Sequence, residues 1–234
     1  MIERVLTVAA IATLSMTATV QAATLSGLFD VTAVNVTNLN SAESQATVAN
    51  FDAALLNTLG GDNSVSVVDS FTYDGDLDFR VGSPQTADFS ISQFLDTGTG
   101  TVDGLESSFG DMQLSFPNIG DGTATTTFFF FTLTQDLGAG TFDITHDDGV
   151  VAFDDGELLG GNVGPTGERN TIIGGFDGGT ASFLYVATNG NPSIFEVDTD
   201  AELSPVPLPA AGWMLLAGVG GLAAASKRRK RNAS

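Results

Sequence analysis

Residues 141–159 read T-F-D-I-T-H-D-D-G-V-V-A-F-D-D-G-E-L-L, and this stretch decides the fold. Phe142, Ile144 and His146 alternate with polar residues, as residues on one face of a β-strand do. Each of the two D-D-G triplets contains an Asp-Gly pair, which is a strong signal for a tight turn between strands. The stretch therefore predicts three short strands that form a tight antiparallel meander.

Similar alternation extends over most of residues 23–204. Further strands are predicted at residues 27–36, 65–73, 86–95, 111–116, 123–137, 181–188 and 194–197. The four consecutive phenylalanines at positions 128–131 cannot alternate, so both faces of their strand should be covered. These patterns predict an all-β domain, a β-sandwich with this strand at its centre.

One segment of the domain is predicted to be helical. Asn40 is a suitable N-cap, and Glu43 is its capping-box partner three residues later. Gly60 and Gly61 end the helix. Its apolar stripe consists of Val48, Phe51, Leu55 and Leu59. We expect this single helix to pack on the sandwich.

The charge of the chain is distributed unevenly. Residues 23–204 hold 27 of the 28 acidic residues but only Arg80 and Arg169 of the eight bases, which leaves this part near −25. Such a surface repels nucleic acid and anionic membranes. It suits divalent cations or neutral glycans, and solubility in a salty medium explains it equally well. The chain has no cysteine, so core burial or bound ions must stabilise it.

The two ends of the chain carry export signals. Residues 1–22 read as a signal peptide, with Arg4 before the apolar residues 5–14 and a V-Q-A cleavage site, so the mature chain should start at Ala23. At the other end, the uncharged residues 210–226 would form a helix about 26 Å long, nearly enough to span a bilayer. The bases at 227–231 follow it directly. The positive-inside rule then places the C-terminus in the cytoplasm and the domain outside.

The tail, residues 205–234, resembles the PEP-CTERM sorting signals of Gram-negative bacteria in their V-P-L-P-A variant. The matching residues are Val206, Pro207, Leu208, Pro209 and Ala210. The resemblance implies a partner, an exosortase peptidase that processes the motif. It also implies export through the Sec pathway, a transient anchor in the inner membrane, and a final place on the outer surface or in an extracellular polysaccharide matrix.

The opening stretch resembles the core of the protective-antigen type of β-sandwich, a domain that also occurs in yeast flocculins, in adhesins and beside many glycosidases. The residues that match are Phe142, Ile144, Thr145, Asp147, Asp148, Gly149, Val150, Asp155, Gly156 and Leu158. A later strand that carries Tyr185 also matches, so the resemblance covers about residues 124–198. It implies a sandwich with a ligand site beside the first D-D-G triplet.

That resemblance also implies which residues form the site. In the sugar-binding members, paired aspartates hold calcium, and the calcium bridges to sugar hydroxyls. Carried over, Asp147 and Asp148 are the metal ligands, and Asn189 or Asn191 from a later loop completes the ligand-binding set, with nothing in the spacing to select one. The residues alone agree in part, because two adjacent carboxylates repel each other unless a cation lies between them.

A second acidic run, D-G-D-L-D at residues 74–78, has the spacing with which an EF-hand calcium loop begins. The match ends there, because Phe79 and Gln85 stand where such a loop needs Gly and Glu. We interpret the run as a strand with a solvated acidic face, with an EF-hand type of site as the alternative.

The sequence predicts no enzyme. The chain has one histidine and no cysteine, and it contains no G-x-S-x-G, paired-histidine or Walker motif. His146 lies at a strand end beside two carboxylates, as a structural histidine would.

Two function hypotheses follow. The first is a calcium-dependent, glycan-binding, adhesin-like surface module. The second is an acidic matrix or coat protein without a defined pocket.

Overall fold

The computed structural model describes residues 22–82, 88–116 and 124–204. The predicted signal peptide, apart from Ala22, and the whole predicted sorting signal at 205–234 lie outside the described residues. Within the described ranges, no helix is both long enough and apolar enough to cross a bilayer.

The described part is built mainly of strands. Its twelve strands are β1 (Ala23–Thr24), β2 (Ser26–Leu39), β3 (Ser66–Asp76), β4 (Asp78–Val81), β5 (Thr101–Asp103), β6 (Ala124–Leu133), β7 (Gly140–Asp147), β8 (Gly149–Asp154), β9 (Glu157–Asn162), β10 (Arg169–Phe176), β11 (Ala181–Ala187) and β12 (Ser193–Thr199). Its helices are α1 (Val48–Leu55), α2 (Ile91–Leu95) and α3 (Ser107–Gly110), with a 3₁₀ turn at Gly61–Asn63.

The strands form two sheets, which confirms the predicted all-β sandwich. The large sheet has the order β5-β3-β2-β6-β11-β8-β9. The small sheet has the order β1-β12-β7-β10, and β4 also pairs with β12. Strands from the first and second halves of the chain are neighbours in both sheets, so the two halves share one hydrophobic core.

The core lies between the sheets and continues on the outer face of the large sheet. Phe129 and Phe131 are buried between the sheets, whereas Phe128 belongs to a second cluster beneath α1. Phe51 of α1 packs on Phe128 and Phe130, with ring centroids 6.5 and 5.5 Å apart. Both faces of β6 are therefore covered at the four phenylalanines, as predicted.

The predicted helix begins later than expected. Asn40 and Glu43 do exchange the hydrogen bonds of a capping box, at 2.9 and 3.2 Å, but they close only a single turn. The chain then extends, because the Ala46 N–H donates to the Val163 carbonyl at 2.8 Å instead of continuing a helix. Thr47 is the N-cap of α1, and its side chain accepts a backbone N–H from the first turn.

The predicted apolar stripe of that helix is also only partly correct. Phe51 is buried in α1, but Val48 and Leu55 are exposed, and Ala54 is buried in their place. Leu59 is buried beyond the end of the helix. The sequence analysis predicted a single helix, so it missed α2 and α3.

Two predicted strands are wrong. Residues 86–95 were expected to be extended, yet α2 lies there, with Ser90 and Gln93 forming a complete capping box. The buried residues Ile91, Phe94 and Leu95 have the spacing of a helix face, and this signal was missed. Residues 111–116 form only isolated bridges, from Gln113 to Ser90 and from Phe116 to Thr125.

The first D-D-G triplet does not make the predicted hairpin turn. β7 pairs with β12 and β10 in the small sheet, whereas β8 pairs with β11 and β9 in the large sheet. The Asp147-Asp148 step therefore carries the chain from one sheet to the other. Only the second triplet turns a hairpin, between β8 and β9, where Asp155 and Gly156 have φ angles of 48° and 86°.

The D-G-D-L-D run also connects the two sheets. β3 ends at Asp76 and β4 begins at Asp78, with Leu77 buried between them. The Thr99 hydroxyl donates to the Asp76 carboxylate and the Thr99 N–H to that of Asp78, at 3.0 and 3.1 Å. Asp74, Asp76 and Asp78 lie in strands, as interpreted, and these strands leave no room for a twelve-residue EF-hand loop that starts at Asp74.

The two tyrosines of the chain are both buried, which predicts an alkaline unfolding transition. Burial raises the pKa of Tyr73 to about 12 and raises that of Tyr185 well above its usual value. The neutral phenols therefore stabilise the fold fully below about pH 10, and this stability is lost as pH rises towards the folded-state values. We expect tyrosinate absorbance and loss of β-structure to appear in one cooperative step. Tyrosinate forming near pH 10 in a still-folded protein would contradict this.

Candidate functional site

A cavity of about 240 Å³ opens at one end of the sandwich, where β7 ends and β12 begins. Asp147 lines it from β7. Thr166 and Gly167 line it from the loop between β9 and β10. The remaining wall is the loop between β11 and β12, residues 188–192. Three separate segments of the chain therefore converge on this cavity.

Asp147 and Asp148 lie at the step between the sheets, and the peptide bond that joins them is cis. Asp147 is 6% exposed and Asp148 is fully buried. The Tyr185 hydroxyl donates to the Asp147 carbonyl, and His146 Nδ1 contacts the Asp148 carbonyl. Buried partners from β11 and β7 thus hold the backbone of this step in place.

The Asp148 carboxylate is bound by backbone N–H groups from both cavity loops. Its Oδ1 accepts from Thr166 N–H at 3.1 Å and its Oδ2 accepts from Thr188 N–H at 2.8 Å. Burial, and then the charge of Asp147, raise the pKa of Asp148 well above its usual range, and the two N–H donors only partly oppose this. The carboxylate therefore lies directly behind the cavity wall and ties its two loops together.

Asp147 lines the cavity and is less deeply buried than Asp148. Burial raises its pKa to about 6, the charge of Glu168 adds to this shift, and an N–H donated by the Glu168 backbone opposes it. Among the described residues, the cavity lining includes no Lys or Arg. The two carboxylates therefore share a buried position without a counter-charge from the lining, which favours a cation there.

His146 is fully buried and engaged on both ring nitrogens. Because a carbonyl only accepts, Nδ1 carries the proton and donates to the Asp148 carbonyl, and Nε2 accepts from the Thr171 hydroxyl at 2.7 Å. Burial lowers the pKa of the imidazole, and the charge of Arg169 adds to this effect. His146 is thus a neutral side chain that supports the Asp148 backbone.

The structure brings the four residues of the sequence-based site together. Asn189, with a φ of 60°, and Asn191, which precedes a cis proline and is 4% exposed, both line the cavity beside Asp147. Asp148 lies immediately behind them. Thr166, Gly167 and Thr188 were not predicted to belong to the site. Their only sequence signals were a Gly/Pro loop and a strand end, which indicate turns rather than ligands.

The donor atoms at the cavity are suited to calcium. The described residues contain no group of three or more His, Asp or Glu placed to hold a metal ion. A cation here would be held by the two carboxylates, with amide and backbone oxygens of residues 188–192 completing its shell. Calcium accepts such mixed oxygen ligands, whereas zinc prefers nitrogen and sulfur. Asp147, Asp148, Asn189 and Asn191 therefore fit calcium by chemistry.

No protein-family model matches the chain, and no curated protein matches it. Among solved structures, it is similar to a PA14 sugar-binding domain from an RTX adhesin, with 13% identity, a TM-score of 0.44, and coverage of 75% of this chain and 94% of that one. It is also similar to the PA14 domain of an antifreeze protein, with 15% identity, a TM-score of 0.39 and coverage of 75% and 84%. A GH31 alpha-xylosidase from Xanthomonas citri has 10% identity and a TM-score of 0.27, with coverage of 82% and 16%.

Gly149 provides a test of how tightly the site is packed. A Cβ at this position would lie 2.5 Å from the Val163 carbonyl oxygen and 3.1 Å from Ala46 Cβ. Gly149→Ala should therefore displace the loop beside the cavity and lower the free energy of unfolding by roughly 1–3 kcal/mol. Chemical denaturation measures this. Gly174→Ala is the control, because a Cβ there meets nothing within 4 Å, and equal effects of the two variants would refute the packing argument.

Proposed function

We propose that residues 23–204 form an exported surface module that binds calcium at Asp147 and Asp148 and, through that ion, neutral glycans. The observation that carries the proposal is the buried aspartate pair at the wall of an open cavity whose described lining contains no base. A bound calcium ion would offset the repulsion between the carboxylates, and the resemblance of residues 142–158 to sugar-binding sandwiches supports the same role.

The lining of the cavity favours a ligand that is recognised through hydroxyl groups. Its described side chains are carboxylate, amide and hydroxyl groups with one proline, and they include no aromatic ring on which a sugar face would stack. Glu168 beside the site and the net negative charge of the domain repel anionic sugars. The class of ligand that fits is a neutral saccharide whose adjacent hydroxyls enter the calcium shell.

The cavity lies at the start of β12, and the ends of the described chain lie near the other end of that strand. Asp147 pairs with Ile194 at the start of β12, whereas Thr199, at the end of β12, pairs with Phe142 and with Ala23 of β1. The cavity and both ends of the described chain are therefore separated by the length of these strands, about 20 Å.

We propose sorting by an exosortase on the sequence alone, through Val206, Pro207, Leu208, Pro209 and Ala210. Replacing Pro207 and Pro209 by Ala in the full chain should leave the unprocessed form in the inner membrane, which cell fractionation and intact mass would detect. Normal release of the variant would contradict exosortase sorting and would leave the ligand site unaffected.

Calorimetric titration of the purified full chain with calcium tests the site. Wild-type protein should bind calcium in a defined stoichiometry, and an Asp147→Ala/Asp148→Ala variant should not. The matched control is Asp154→Ala/Asp155→Ala, because this second D-D-G pair also accepts backbone hydrogen bonds, from Asp177 and Thr180, but lies in a hairpin. The control variant should bind calcium as the wild type does.

If calcium binds weakly and without a defined stoichiometry, and if neither double variant changes this binding, the proposed calcium site is refuted. That result would favour the second hypothesis, an acidic matrix protein that collects cations over its whole surface. Where the site is confirmed, binding to an array of neutral glycans in calcium and in chelator tests the sugar step. Binding that persists in chelator would contradict the calcium bridge.

A further inference from the structure

Residues 163–168, between β9 and β10, form one wall of the cavity, and we call them the cover loop. Thr166 and Gly167 line the cavity, and the N–H groups of Thr166 and Glu168 donate to the two site carboxylates. The first end of the loop is held by the Ala46 N–H on the Val163 carbonyl. The loop therefore contacts both site carboxylates and forms one wall of the cavity.

The second end of the cover loop is Glu168, and Arg80 of β4 holds it. Arg80 pairs with Ile194, and Ile194 pairs with Asp147, so these three residues form one cross-strand row on the outer face of the sheet. The Glu168 side chain reaches Arg80, and its backbone N–H reaches Asp147, at the two ends of the row. Ile194, which lies between them in the row, is only 1% exposed.

The Arg80 guanidinium is itself held in a fixed orientation. Its Nε and Nη2 donate to the two carboxylate oxygens of Glu196, at 2.7 and 3.0 Å, in the fork geometry that arginine prefers. Nη1 is then aimed at Glu168 Oε1, 3.1 Å away. Because these side chains are between one third and one half exposed, the ion pairs contribute little to the fold as a whole. Loss of the Arg80–Glu168 pair should instead release the end of the cover loop.

We propose that Arg80 is a positioning residue for the candidate site, acting through Glu168 to hold the cover loop in its ligand-binding position. The predicted effect of Arg80 on calcium affinity rests on the proposed function. The predicted effect of Arg80 on the cover loop does not. This role requires a planar guanidinium that contacts Glu196 twice and Glu168 once. A lysine at position 80 cannot make all three contacts, so Arg80→Lys should hold the loop only in part.

The test compares Arg80→Gln, Arg80→Lys and Arg169→Gln in the full chain. Arg169→Gln is the matched control, because it removes the same charge from the start of β10 beside Glu168. Calcium affinity, measured by calorimetry, should fall about threefold to fivefold in Arg80→Gln, the upper part of the range for a partly exposed ion pair, and less in Arg80→Lys. It should stay within about twofold in Arg169→Gln, since a mere loss of positive charge does not weaken cation binding.

Two further measurements separate positioning from general stability. Amide hydrogen exchange of Thr166 and Glu168 in calcium-free protein should accelerate in Arg80→Gln and not in Arg169→Gln, while the unfolding midpoint stays the same. In a Glu168→Gln background, Arg80→Gln should cause no further loss, because the two residues act as one unit.

Unchanged exchange at both amides in Arg80→Gln would overturn the proposal, whether or not calcium binds. Full additivity of the Arg80 and Glu168 changes would overturn it as well. Wild-type protein that binds no calcium would refute the proposed function alone, and faster exchange in Arg80→Gln would then still support the role of Arg80 in holding the loop.

Discussion

Phe131→Ala is expected to lower the free energy of unfolding by about 3–5 kcal/mol, the largest loss that we predict for a single truncation. Phe131 is fully buried, and its ring packs on those of Phe29, Phe79, Phe129 and Phe195 at centroid distances of 5.3–6.3 Å. These rings come from strands of both sheets, so the truncation leaves a cavity at the centre of the sandwich that the strands cannot close.

Denaturant titration with a structural probe measures this loss. Phe116→Ala is the control for removing the same ring, because Phe116 is 40% exposed and its backbone bridge to Thr125 does not depend on its side chain. We expect the control to cost less than about 1 kcal/mol. A loss of the same size in both variants would show that the core between the sheets does not hold the domain together.

The second large effect concerns the pH dependence of the candidate site without calcium. The folded-state pKa of Asp147 is raised from 3.8 to about 6, so its neutral form is the one that the fold favours. The stability that it contributes is present below about pH 4 and is lost as pH rises through about 6, and the loss is on the order of 3 kcal/mol. Asp148 shifts in the same direction. Calcium should restore this stability near neutral pH, because it favours the charged form of both carboxylates.

Unfolding curves at about pH 5 and about pH 7.5, each in chelator and in excess calcium, measure the effect. The many other carboxylates also repel one another more strongly as pH rises, so the informative quantity is the difference between the wild type and Asp147→Asn. The variant should lose the site-specific part of the pH dependence and most of the stabilisation by calcium. An identical response of the variant and the wild type would contradict a pKa shift at this carboxylate and a calcium ligand there.

Local sequence pattern was sufficient for much of the sandwich. β2, β3, β6 and β11 were predicted because alternation and β-branched or aromatic residues report burial on one strand at a time. The same logic failed for α2, where three apolar residues at helical spacing were assigned to a strand. It also misplaced the start of α1, because the bond from Ala46 to Val163 joins residues that are distant in sequence.

The sequence pattern of a strand does not indicate which of the two sheets the strand joins. β7 alternates and β8 is a short apolar run, and either pattern is the same whichever sheet a strand joins. The step at Asp147 and Asp148 was therefore predicted as a hairpin turn, although it connects the two sheets. For the same reason, the second D-D-G triplet, which does turn a hairpin, looked identical to the first.

The sequence by itself determined the all-β class, the central phenylalanine strand and the acidic character of the domain, because each depends on neighbouring residues and on composition. Its resemblance to the protective-antigen sandwich is what singled out Asp147 and Asp148 as the candidate ligands. Only the tertiary structure placed Asn189 and Asn191 at the same cavity, added Thr166, Gly167 and Thr188, and linked Arg80 to the cover loop. Asp148 meets Thr166 and Thr188 across 18 and 40 residues, and Arg80 meets Glu168 across 88. Contacts over such distances arise when the sheets close on each other, and no local pattern encodes that closure.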